Sequence, residues 1–212
     1  FRDEDHIRVH PIVTAGGNSV NIIPAEVRLE SYVRGATLKS IREANFKVNR
    51  ALAAGAAALG ATVLIVDRPG YAPLTNDQNL MAVARTCMEA LAGPERVQFK
   101  ADWSTGCTDM GDLSCVMPVI HPSASGAAGT GHGDDFHIAD PERACVNSAK
   151  AQVLMVDELL KDEAAQAQKI IREARPPYPS IQAYLEAIDQ VAADLDAVVY
   201  AADGSLEIHV RH

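Results

Sequence analysis

Nowhere in this 212-residue chain do lysines and arginines gather into a run, and the net charge is -9 with a pI near 5.2. That excludes a nucleic-acid binder of the electrostatic kind, whose affinity rests on clustered cations facing phosphates. Long apolar runs are missing too. Residues 51–59 and 61–66 are among the longest, far short of the ~20 residues a membrane span requires. Cys87, Cys107, Cys115 and Cys145 make no C-x-x-C, and a chain that is 48% hydrophobic can bury a core without disulfide staples. They read as reduced thiols of a cytoplasmic protein. The sequence has no G-x-S-x-G, no Lys-Ser/Thr closing a glycine loop, and no H-E-x-x-H. A serine nucleophile on an elbow, a phosphate loop and a self-contained zinc helix are thereby set aside. No signal-peptide pattern precedes the first strand. The chain opens at Phe1, without an initiator methionine, directly into "IRVHPIVTAGG", a start that predicts further sequence upstream.

What is present is a mixed pattern, α/β of the α+β kind. Residues 7–13 and 27–34 are strand-like, the second placing Arg28, Glu30, Tyr32 and Arg34 on its polar face. Leu38, Ile41, Val48, Leu52 and Leu59 form a helical stripe that Gly60 stops, and "ATVLIV" is the next strand. The order β-β-α-β is what a β-α-β-β-α-β ferredoxin-like unit leaves when its first strand and helix are absent. "DRPGYAPLTND" is a turn-rich boundary. Beyond it the pattern predicts a helix capped by Thr75 or Asn76 and running to Ala92, strands at 97–101 and 115–120, and a helix over 141–161. After "REARPPYPS" come a short helix from 181 and a hairpin turning at Asp203-Gly204. This sets out three segments: 1–68, 69–175 and a 176–212 tail.

The chemically suggestive stretch is "GTGHGDDFHIADPE" (129–142). Gly129, Gly131 and Gly133 permit positive φ and close approach around His132, and Asp140-Pro141 reads as a cap and first helical position. Either a ligand-bearing loop or a flexible connector fits those residues. His132, Asp134, Asp135, His137, Asp109 and Asp112 are residue types zinc accepts, but their spacing alone defines no four-ligand set.

Four motifs read in order are more specific: "AGGNSVNIIPAEVRLESYVRG" (15–35), "GYAPL" (70–74), "STGCTDMGDLSCVMPVIHP" (104–122) and the glycine loop. Together they resemble the zinc-dependent amidohydrolases and metallopeptidases of the aminoacylase and carboxypeptidase G family, closest to its aminobenzoyl-glutamate hydrolase-like branch. The resemblance covers about residues 7–160. It implies a partial ferredoxin-like lid and dimerisation domain followed by the second half of a zinc-peptidase-like catalytic domain. It assigns His132 as a late metal ligand, Asn21 and Arg34 as substrate-binding residues, and Asp109 and Asp112 as groups supporting the site. The implied cofactor is zinc or another divalent metal. The implied partners are a small amide substrate bearing a carboxylate and a second copy of the chain.

No Glu-Glu pair occurs, and the family's H-x-D segment, general base and lid histidine have no counterpart ahead of the lid motif. The expectation is therefore a C-terminal portion of an amidohydrolase, inactive alone and holding zinc weakly or not at all. The competing reading is a ferredoxin-like binding or dimerisation module without catalysis.

Overall fold

The computed structural model describes residues 1–99 and 106–211. It combines helices with antiparallel sheets, an α+β architecture. Contacts divide the chain into two compact units, one of residues 1–73 with 182–211, the other of residues 74–99 with 108–181.

In the first unit, β1 (Arg8–Ala15) and β2 (Arg28–Arg34) form an antiparallel hairpin from Arg8↔Arg34 to Ala15↔Arg28, with a bulge between Val13 and Ala15. Helix α1 (Leu38–Ala58) begins where Thr37 Oγ1 accepts the Ser40 N–H (3.0 Å) and Ser40 Oγ accepts the Thr37 N–H (3.1 Å). Two orphan donors of the first turn are satisfied reciprocally. Gly60, at φ 72°, ends the helix. β3 (Val63–Asp67) follows, and it does not pair with the hairpin. Its ladder partner is β6 (Ala193–Tyr200), which in turn pairs with β7 (Leu206–Ile208) in the order β3-β6-β7. The expectation of one β-β-α-β sheet is thus corrected: among the described residues these strands fall in two sheets.

α1 packs against β2, β3 and β6. Ala53, Ile65, Ala197 and Val198 make the core beneath it, and Val198 is the largest side chain wholly buried among the described residues. Small residues at 53 and 197 let helix and sheet approach closely, so their methyl groups rather than long side chains fill the gap. The buried Asn49 amide donates to Asp67 Oδ2 (2.8 Å), tying the middle of α1 to the end of β3. Arg68 bridges to Asp194 (2.6 Å), and that hydrogen bond draws the Asp194 carboxyl below the usual carboxylate range. Helix α5 precedes β6 from Ile181 to Asp189. Gly204, at φ 81°, makes the β6–β7 turn, where Asp203 Oδ1 accepts both the N–H and the hydroxyl of Ser205.

In the second unit, α2 (Gln78–Ala92) is capped by Asp77, whose Oδ1 accepts the Leu80 N–H (2.8 Å). The cap sits one residue later than Asn76 because Asn76 Oδ1 instead accepts the His121 N–H (3.1 Å). A short helix, α3 (Asp109–Ser114), occupies what the pattern leaves as a polar loop. Residues 115–120 are not a strand. They are buried at Cys115 and Val119 and pair singly, the Tyr178 N–H donating to Cys115 O and the Asp77 N–H to Val119 O. Residues 97–99 are likewise not a strand, and 100–101 lie outside the described residues. A two-rung ladder joins β4 (Ala127–Ala128) to β5 (His137–Ile138). A π-helical turn, Glu142–Val146, leads into α4 (Asn147–Glu173).

α4 is broken. Lys161 leaves helical geometry, and Asp162, Glu163 and Ala164 take positive φ of 51°, 56° and 59°. Three left-handed residues in succession are costly for side chains with a Cβ, and packing explains the detour. Met155 and Leu159 before the break and Ile170 after it all join Val83 and Cys87 of α2 in one core. A straight helix would carry Ile170 away along its axis. No helix among the described residues is long and apolar enough to cross a membrane.

Candidate functional site

The candidate residues lie in both units: Asn21 and Arg34 in the first, His132, Asp109 and Asp112 in the second.

Arg34 is the last residue of β2 and half-buried. Its guanidinium stands over the Tyr32 ring at 5.6 Å from the centroid, a cation–π contact that helps hold the planar fork. Asn21 lies in the loop joining β1 to β2, where its Oδ1 accepts the Ser19 hydroxyl (2.5 Å). Gly17 turns that loop at φ 97°. A Cβ there would press on Pro24 at 3.1 Å, so glycine is required twice over, by conformation and by space. Asn21 is therefore an exposed loop-tip amide, and Arg34 stands at the end of the hairpin ladder remote from that loop.

His132 is at the tip of the loop that the β4–β5 ladder closes. The imidazole is exposed, and the residue itself takes φ 65°. The glycines divide the work unequally. Gly129 takes φ 94°, with no room for a Cβ against Asp135 O; Gly131 faces open space; Gly133 is crowded by the Asp135 carboxylate. The Thr130 N–H donates to Asp135 Oδ1 (3.0 Å), the Gly133 N–H to Thr130 O (2.7 Å), and His137 Nδ1 lies 2.8 Å from Asp135 O. Asp135 and the Nδ1 of His137 are thus engaged in shaping the loop, which leaves His132 exposed at its tip. At the far end, Asp140 Oδ1 accepts the Arg143 N–H (3.1 Å), the cap read from Asp140-Pro141.

Asp109 and Asp112 are both on α3, the first exposed and the second half-buried. The buried Ser114 hydroxyl donates to Gly111 O (2.6 Å) and accepts the Thr75 N–H (3.2 Å), anchoring α3 beneath them. Thr108 Oγ1 and His121 Nδ1 are 3.2 Å apart. Sequence reasoning passed over His121 and Thr108. Their signal is membership of the same 104–122 motif.

Among the described residues no group of three or more His, Cys, Asp or Glu side chains converges as a metal shell would need. The donors present do not fit a closed zinc site, so no chemical step is assigned to a metal here. The two buried thiols are not candidates either. Burial raises Cys87 and Cys115 above the usual thiol range, which disfavours the nucleophilic thiolate. Cys145 is exposed beside an apolar groove lined by Val146, Val153 and Leu154. Brief treatment of the folded protein with iodoacetamide is expected to modify Cys145 well before Cys87 or Cys115, as read by peptide mass spectrometry. Equal labelling would show that the two buried sites open.

The chain is similar to a dipeptidase. It is 33% identical over 118 residues to the Xaa-Arg dipeptidase of Mus musculus, an alignment covering 54% of this chain and 27% of that protein. The chain thus spans about a quarter of the length of the curated relative it matches. No protein-family model matches the sequence, and no solved structure matches it.

Proposed function

We propose that this chain is part of a metal-dependent amidohydrolase that cleaves the amide bond of an N-acyl amino acid, an aminoacyl-glutamate or a small dipeptide-like substrate. The supporting observation is the similarity to a protein named as a dipeptidase, which accords with four ordered motifs that resemble those of the amidohydrolase family. Arg34 supplies the substrate-binding fork. Its ring-backed guanidinium suits a carboxylate that accepts two parallel hydrogen bonds. Asn21 offers a loop amide for the substrate backbone, and His132 offers one imidazole to a metal whose other ligands the described residues do not provide. Asp109 and Asp112 order the motif around α3. Hydrolysis then requires the complete protein, acting as a homodimer through the lid hairpin, and the chain alone is inactive.

The test is turnover of a dipeptide and an N-acyl amino acid by the complete protein. Arg34→Lys should raise KM for substrates with a free carboxylate about tenfold or more, the loss of a charge-assisted bond being worth ~1.5–3 kcal/mol. Substrates with an esterified carboxylate should be unaffected. Wild-type protein that binds but never cleaves these amides would favour the non-catalytic module instead.

A further inference from the structure

α4 carries two apolar faces. One is covered: Met155 and Leu159 pack on the core shared with α2, and Ala151, a turn earlier, is buried. The other is bare. Ala149, Val153, Val156 and Leu160 are spaced by four, three and four residues, the spacing of a seam that meets another helix. Val153 is 68% exposed, Val156 54% and Leu160 61%. Val146, three residues before Ala149, carries the line back into the groove beside Cys145. The seam ends at Leu160, where Lys161 leaves helical geometry. A helix apolar on both sides belongs between two neighbours, and α2 fills one of those places.

The charges beside the seam select the second neighbour. Lys150 and Asp157 lie along the same edge of it, the cation toward its start and the anion toward its end, and both are exposed. Lys150 is ion-paired with Glu142 (3.3 Å), a contact that water weakens because both side chains are more than half exposed. When a copy of α4 runs antiparallel with Val153 seated against its Val156, Ala149 meets its Leu160, small against large. Lys150 then meets its Asp157. A twofold axis repeats each of these contacts, so every apolar contact and every ion pair forms twice. We infer that the outer face of α4 is an interface with a second copy of this chain, paired antiparallel across a twofold axis. It uses no residue of the β1–β2 hairpin, and it does not depend on the function proposed above.

Sedimentation equilibrium of the 212-residue chain over a concentration series is expected to show monomer and dimer in exchange. Val153→Glu should weaken the dimer about tenfold or more, with an unchanged circular dichroism spectrum because residue 153 is on the surface. Lys150→Glu and Asp157→Lys each set like charges against one another and should each weaken it about tenfold. The two together should restore it. In an equal mixture of isotope-labelled and unlabelled chains, carbodiimide coupling should join Lys150 to Asp157 in peptide pairs of mixed isotope. A chain that is monomeric throughout the series overturns the proposal and leaves the seam to another segment of the complete protein. A dimer that Val153→Glu does not weaken also overturns it, since the contact then lies elsewhere, as on the hairpin. Charge reversals that weaken the dimer and do not rescue one another overturn the antiparallel register.

Discussion

In the complete amidohydrolase proposed above, His132→Gly is expected to reduce amide hydrolysis about 100-fold or more and to lower its metal content, while the variant melts no lower than wild type. Even a partner of a metal ligand is typically worth 10–100-fold, and removal of a ligand exceeds that. The stability side follows from the backbone. His132 holds φ 65°, a conformation that costs a residue with a Cβ about 1 kcal/mol and glycine almost nothing. Its exposed ring buries little apolar surface, so truncation leaves no cavity. His132→Ala removes the same imidazole and keeps the strain, so the two variants should match in activity and differ in melting temperature. If both variants retain metal and rate, His132 is an incidental residue of a connector.

Gly126→Ala should be strongly destabilising, at about 3 kcal/mol, although residue 126 is six positions from His132. Gly126 holds φ 112°, and a Cβ there would lie 2.6 Å from Asp140 O and 2.8 Å from Ala144 N. Both are backbone atoms at the start of the π-helical turn and cannot swing aside as a side-chain tip would. Gly126 O also accepts the N–H groups of Ala139 and Asp140, each at 2.9 Å. Shifting this residue therefore loosens both the β4–β5 ladder and the turn into α4. Denaturant unfolding of wild type and variant measures the loss. Gly131→Ala is the control, because a Cβ there meets nothing within 4 Å. A Gly126→Ala protein as stable as Gly131→Ala would mean that the loop is not anchored in this way.

The elements legible from sequence are those whose signal is local. The β1 and β2 alternation, the apolar stripe of α1 closed by Gly60, and the Asp203-Gly204 turn all have their causes within a few residues of themselves. The buried segment around Cys115 and Val119 was misread as a strand because a short apolar run looks the same whether a ladder or single backbone bonds bury it. α3 is six residues long, too short for a periodic stripe. The break in α4 was legible only as the end of a helix at Lys161. Its continuation depends on Ile170 meeting α2, which no periodicity records. For the candidate site, the glycine loop could be read but the positive φ of His132 could not, since sequence assigns that conformation to glycine by default. Arg34 stood out by its motif.

The pairing of β3 with β6 also bears on the chain's history at the ribosome. Arg68, at the end of β3, donates to the Ala193 carbonyl across a separation of 125 residues. At elongation rates of about 5–20 residues per second, β3 emerges roughly 6–25 seconds before its ladder partner exists. During that interval it is an open edge, with Leu64 and Val66 facing solvent even in the finished fold, and open apolar edges are where nascent chains pair wrongly. The first unit can close only once β6 has been made. Of the two units, the second, whose residues all lie between 74 and 181, can finish folding before the first is complete.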